Sequence, residues 1–434
     1  LFVAVPGATP EFHSKGAVKM TTTYLDVDLD LTAQHRALKE EVHQFAKTVL
    51  RPISVALDRC TPQQVIVPDS QLWNALRRGY GQRLHTMMIP AACGGLGLQG
   101  LGLHIALEEL GWGSADFAIS LAVTGFPFAS AALFGDAALV EELTISFVAD
   151  REAKQVGCWA ITEPEHGSDQ FMLGTAEFSD PRIRGEVVAR RDGDDYIIDG
   201  SKSAWVSNGT IATHTVAYLT LEPNKGIAGG GVAFIPLDLP GVSKGEPLDK
   251  LGQRALNQGS IDFHEVRIPK RYLLVQAPAY AGVLTQTLAM TNALMGAIFT
   301  GVARSAYEMA LEYARERVQG GKPLCEHQLI QMRLFEMYSK VETSRAISRA
   351  AMVYNDGTRE PALECSIAAK RYCTQAALEV ADSALQIYGG KGLSREYPIE
   401  KVYRDARASL IEDGTNDVLG LVGAQALLAR RFEH

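Results

Sequence analysis

Residues 396–425 read EYPIEKVYRDARASLIEDGTNDVLGLVGAQ and place two neighbouring carboxylates, Glu412 and Asp413, directly before Gly414 and Thr415. A positioned carboxylate can remove a weakly acidic proton when hydrogen-bond donors nearby take up the charge that develops. Other chemistries find less support. The six cysteines (Cys60, Cys93, Cys158, Cys325, Cys365, Cys373) contain no Cys-x-x-Cys pair, so they are expected to be reduced, mostly buried thiols. Cys365 and Cys373 fall in one helical stretch and read as core residues. The ten histidines form no His-Glu-x-x-His or similar ligand pair, and no metal is expected.

The elements that must position these carboxylates can be read from texture. Apolar residues recur at helical spacing over residues 32–50, with Pro52 as a stop, and again over 70–77, 101–110 and 115–134. From about Gln155 short β-rich runs take over, at 156–161, 186–189, 196–199, 215–220, 231–235 and 260–263, with Asp192-Gly193 as a hairpin signal. After Pro269 long amphipathic segments return at 284–317, 327–354, 361–388 and 418–432, enough for a four-helix bundle. This predicts an α+β chain: an N-terminal helical domain (26–154), a central β domain (155–275) and a C-terminal helical bundle (276–434). On spacing alone the bundle could be purely structural.

Bulk properties agree with such a fold. The 434 residues are 47% hydrophobic and 21% charged, which suits two or three packed units and excludes disorder as the main state. A net charge of -8, spread without blocks, gives no sign of nucleic-acid binding. Residues 1–19 (LFVAVPGATPEFHSKGAVK) precede Met20 and read as a cloning scar, within an unpatterned stretch over 1–25. They are too short for a secretory segment, and no run of ~18 apolar residues is evident, so no membrane insertion and a cytoplasmic location are expected.

Five segments, taken together and in order, resemble the acyl-CoA dehydrogenase family over roughly residues 26–428. Residues 157–169 (GCWAITEPEHGSD) are similar to its Thr-Glu-Pro-x-x-Gly-Ser-Asp, and 202–209 (KSAWVSNG) to its Lys-x-Trp-Ile-Thr-Asn. Residues 316–328 (ERVQGGKPLCEHQ) are similar to Glu-Arg-x-x-Phe-Gly-Lys-x-Leu followed by Gln, and 386–398 (QIYGGKGLSREYP) to Gln-x-x-Gly-Gly-x-Gly followed by Glu-Tyr-Pro. The fifth is the Arg-Asp-Ala stretch that leads into Asp413.

The resemblance implies FAD and a role for each segment. Trp205 would wall the flavin ring, with Val206 beside it and Ser207 offering a hydroxyl and a backbone N–H near N5. Ile161, Thr162 and Ser168 would hold the ring edge and, through Ser168, the thioester end of the substrate. Arg317, Gln328, Gln386, Gly389 and Gly390 would bind the pyrophosphate and adenosine end, reached from a neighbouring subunit of a homotetramer or homodimer. Thr415 and Asp417 would complete the cofactor site and Gly414 would touch substrate. Asp413 stands at the base that takes the α-proton of an acyl thioester, on CoA or an acyl-carrier protein, while flavin N5 accepts the β-hydride. The product would be a 2-enoyl thioester, with electrons passing to an acceptor such as electron-transfer flavoprotein.

The departures define alternatives. The family usually has Glu where Asp413 stands, an aromatic at Glu412, Phe at Gly320 and Gln at Asp417. An aspartate reaches about one methylene less, and ~1 Å of misplacement can cost ~10²-fold in rate. The position of an alternative base in the bundle is occupied by Thr291, beside Asn292, and Glu412 is expected to point elsewhere. Nitroalkane oxidases share the fold and use Asp, and residues 288–294 (LAMTNAL) resemble them, although Gly420 stands near the place of their orienting Arg. A flavin-binding homologue with impaired catalysis is the third reading.

Overall fold

The computed structural model describes residues 31–357 and 360–430; the expectations for residues 1–25 lie outside that range. The Thr32 hydroxyl accepts from His35 N at 3.1 Å and caps the helix Ala33–Phe45. Pro52 does not stop this helix, contrary to the sequence expectation. The helix widens for one turn over Ala46–Leu50, and Pro52 sits in the first turn of Arg51–Leu57, where a missing N–H costs least. The apolar run at 115–134 forms two helices, Ala115–Thr124 and Phe126–Phe134, divided at Gly125.

The central domain is one eight-stranded sheet. Its strands are β1 Gly157–Ala160, β2 Val188–Asp192, β3 Asp195–Lys202, β4 His214–Thr220, β5 Gly230–Pro236, β6 Val242–Lys244, β7 Ile261–Pro269 and β8 Leu273–Val275. They run in the order β6-β7-β3-β2-β4-β5-β8, with β1 paired parallel to β4. β2 and β3 form the hairpin read from Asp192-Gly193, with Gly193 at φ 64°. The short strands β6 and β8 have no counterpart in the sequence reading.

The C-terminal helices Ala277–Glu316, Gln328–Gly357 and Leu363–Tyr388 pack on one another, and Asn416–Ala429 lies against the third. The helix Gly100–Gly113 is buried on all but one of its residues and lies against Ala277–Glu316 at very close range. A Cβ on Gly111 would overlap the carbonyl of Ile298, and one on Gly301 that of Glu108. At the same junction Arg304 binds Glu108 at 2.7 Å and also Glu109, while Arg345 binds Glu108 at 2.7 Å, all four side chains being buried. Two stretches, Ala115–Phe134 and Ala277–Glu316, are apolar and long enough to cross a membrane, more than the sequence reading allowed. Yet 72% and 67% of their apolar windows are packed inside the protein. Among the cysteines only Cys158 and Cys373 are buried, and Cys365 is exposed, which corrects its assignment to the core.

Candidate active site

Asp413 sits on a tight turn between the helices Ile399–Ala408 and Asn416–Ala429. Its φ is 51° and that of Gly414 is 93°. Left-handed backbone is cheap for glycine and tolerated by Asp and Asn better than by most residues. Thr415 ends the turn as the N-cap of the next helix. Its own N–H donates to Ser168 Oγ at 2.9 Å, which ties the β-domain loop to the Asp413 turn. Among the described residues neither Asp413 N–H nor Gly414 N–H has a partner, leaving two donors beside the carboxylate.

A buried lysine supports the turn from below. Lys370 Nζ, on Leu363–Tyr388, donates to Gly414 O and to Asn416 Oδ1, both at 2.8 Å. Burial pushes the Asp413 carboxyl up to about 6, against the pull of Lys370. The same burial brings Lys370 down to about 8, with Asp413 and Glu412 holding it up. Glu412 accepts from Gln253 Nε2 at 3.0 Å; burial raises it to about 7. Gln253 in turn holds Asp405, which pairs with Lys401 at 2.5 Å, and Lys401 reaches Asp116 at 3.2 Å.

The predicted flavin-ring residues gather on the sheet side of this turn. Thr162 Oγ1 lies 2.6 Å from Ser203 Oγ, and the carbonyl of buried Ile161 accepts from Lys202 Nζ at 3.0 Å. Lys202 is itself buried against Glu163 at 2.7 Å, a pair that fixes the Thr-Glu-Pro loop on the sheet. Val206 is buried, whereas Trp205 is 60% exposed. Gln258 Nε2 donates to Trp205 O at 3.1 Å and to Ser207 Oγ at 3.2 Å.

The other predicted residues stand elsewhere. Arg317 ends Ala277–Glu316, Gln328 starts the next helix, and Gln386, Gly389 and Gly390 close Leu363–Tyr388, so all share one end of the bundle. Tyr313 and Tyr388 stack there with centroids 4.0 Å apart. Nothing lies within 4 Å of a Cβ built on Gly389 or Gly390, so their backbone is open to approach. Gly389 lies 19 residues along the helix from Lys370, about 28 Å at 1.5 Å per residue. Asp417 is exposed in the first turn of its helix. The sequence reading missed Lys370, Gln253 and Gln258; the one signal was a lysine on an otherwise alanine-rich helical face.

Three family models match in this order along the chain: the acyl-CoA dehydrogenase N-terminal domain over residues 32–145, the middle domain over 158–266 and the C-terminal domain over 281–428. The chain belongs to the acyl-CoA dehydrogenase family. The chain is 31% identical to the mitochondrial short-chain specific acyl-CoA dehydrogenase of Rattus norvegicus over 412 residues, 94% of this chain and 93% of that protein. It superposes on butyryl-CoA dehydrogenase from Megasphaera elsdenii with a TM-score of 0.81 at 27% identity, covering 92% of this chain and all of the other. A chain from a study of the electron transferring flavoprotein of Acidaminococcus fermentans gives the same TM-score at 26% identity, over 93% of this chain and all of the other. Members are FAD-dependent flavoprotein oxidoreductases that dehydrogenate acyl-CoA thioesters. The residues present fit that cofactor: an exposed indole beside a hydroxyl suits a flat ring with polar edges, and bare glycines at the same bundle end as Arg317 suit a pyrophosphate.

Proposed function

We propose that this acyl-CoA dehydrogenase uses Asp413 as the base that takes the α-proton of an acyl thioester, giving the 2-enoyl thioester. The observation that carries this reading is a half-buried carboxylate raised to about 6, next to two unpartnered N–H groups and above Lys370. The free N–H groups would receive the thioester oxygen as enolate charge develops. The proton moves from the α-carbon to the Asp413 carboxylate, and the electron pair left behind forms the α,β double bond. FAD, when bound, supplies the acceptor for the β-hydrogen and its electron pair. Thr162, Trp205, Ser207 and Ser168 would hold its ring side, and Thr415 would keep Ser168 in place. Electrons would leave to an acceptor such as electron-transfer flavoprotein.

The bundle-end residues Arg317, Gln328, Gln386, Gly389 and Gly390 are assigned to the site of a neighbouring copy. A ribityl chain of five carbons does not span the ~28 Å of helix between them and the Asp413 turn. Leu329, Met332 and Phe335, spaced by three on the Gln328–Gly357 helix, are 72%, 60% and 64% exposed beside that end, and a second copy would cover them. A homodimer or homotetramer is the assembly this supports.

Anaerobic bleaching of the bound flavin by a panel of acyl-CoAs and small nitroalkanes tests the reading. Reduction by acyl-CoA alone is expected, with loss in Asp413→Asn. Nitroethane oxidation far above any acyl-CoA rate would instead establish the nitroalkane chemistry. Against that second reading, the guanidinium of Arg371 lies against Gly420 and donates nothing to Asp413 among the described residues.

A further inference from the structure

The buried side chain of Gln258 joins the segment at Trp205 and Ser207 to a lysine behind it. Its Oε1 accepts from Lys250 Nζ at 2.6 Å, while its Nε2 donates to Trp205 O at 3.1 Å and to Ser207 Oγ at 3.2 Å. The partners permit only this orientation of the amide. An ammonium has no lone pair to offer and a backbone carbonyl no hydrogen, so a turned amide would set donor against donor and acceptor against acceptor. Backbone bonds hold the parts in register on either side: Leu248 N–H donates to Gln258 O at 2.9 Å, and Asn208 N–H to Asn257 O at 2.8 Å. Arg254 donates to Lys250 O at 2.9 Å and to Cys60 O at 3.2 Å, which ties down the backbone that carries the lysine.

The consequence falls on Ser207. Serine has no γ-methyl to restrict its χ1, so its hydroxyl takes its direction from its partners. Its Oγ accepts from Gln258, and among the described residues neither its hydroxyl hydrogen nor its backbone N–H has an acceptor. Ser207 is only partly buried, and the neighbouring indole of Trp205 is exposed. Two donors on one residue are therefore left for a group lying against that indole. The C4 carbonyl and N5 of an oxidised flavin are two adjacent acceptors on one edge of a flat ring. We propose that Lys250 and Gln258 are positioning residues for the cofactor, which hold the Ser207 hydroxyl as a donor to N5 of the oxidised flavin. This rests on the reading of Trp205 and Ser207 as the ring side of the flavin site. A donor at N5 draws electron density from the atom that accepts the β-hydrogen. A serine whose hydroxyl turned back to an acceptor on the protein would face N5 with lone pairs.

The test reads cofactor binding, with no substrate present. Flavin-free protein is titrated with FAD and with 5-deaza-FAD, whose C–H at position 5 accepts no hydrogen bond, and the two dissociation constants are compared. The wild-type protein is expected to hold FAD at least ~10-fold more tightly, since the analogue leaves the Ser207 hydroxyl unpaired. Gln258→Glu keeps the size and the Lys250 contact but offers Ser207 an acceptor, so the preference should fall below ~2-fold, as in Ser207→Ala, and the double variant should lose no more. Lys250→Met, which leaves the amide unanchored, should lower the preference at least ~3-fold and secures the comparison should Gln258→Glu fold poorly. A mere shift of the segment would weaken both cofactors alike and leave the preference intact. A preference that Ser207→Ala removes but that survives both Gln258→Glu and Lys250→Met overturns the proposal and keeps the ring at Ser207. No preference in the wild-type protein overturns the proposal and the ring-side reading together.

Discussion

Asp413 must be unprotonated to act as a base, and burial holds its proton on until about pH 6. The rate of flavin reduction by acyl-CoA is therefore expected to fall as pH drops through that value, with Glu412, near 7, broadening the limb. Lys370 pulls the Asp413 carboxyl downward, so Lys370→Met is expected to move the limb to higher pH; stopped-flow rates across pH 5–9 read this directly, and a limb that stays in place would reduce Lys370 to a structural peg. Asp413→Asn keeps a residue suited to φ 51° and should leave the turn and the flavin intact while lowering the rate by about 10²–10⁴-fold. Asp413 was legible as a candidate because the acid stands in a dense motif. Lys370 and Gln253 were not, since their partners lie far away in sequence and a lone Lys or Gln carries no spacing signal.

At the scale of elements, the long helices and the Asp192-Gly193 hairpin could be read because periodicity and turn chemistry are local properties. The three-residue strands β6 and β8 exist only because β7 and β5 offer them an edge, and Pro52 is tolerated only because the helix widens before it. Close contact between helices was equally hidden. Gly301 looks like a flaw in a helical run, yet it lets Ala277–Glu316 touch the backbone of Gly100–Gly113. Gly301→Ala, which helix propensity alone would favour, is expected to destabilise the protein by roughly 1–3 kcal/mol through overpacking, visible as a lowered Tm. An unchanged or raised Tm would mean that the helices can part without loss.

For the whole molecule, loss of assembly is expected to bring loss of the cofactor. Replacing Met332 and Phe335 by Glu should lower the mass in light scattering and release flavin. Arg317→Ala should release flavin at unchanged mass, because a charge-assisted hydrogen bond of about 1.5–3 kcal/mol is lost. Flavin held fully by a monomeric variant would show that one chain completes its own site. The buried carboxylates of Glu108 and Glu109 carry a different consequence, for the way the chain is made. Their partner Arg304 lies 195 residues beyond Glu109. At about 5–20 residues per second a ribosome needs roughly 10–40 s to deliver it. Through that interval the first helical domain holds two carboxylates on a buried helix without their arginines, with only the imidazoles of His43 and His104 beside them among the described residues of that domain, so it should close poorly and the nascent chain should be a customer for chaperones until its second half emerges.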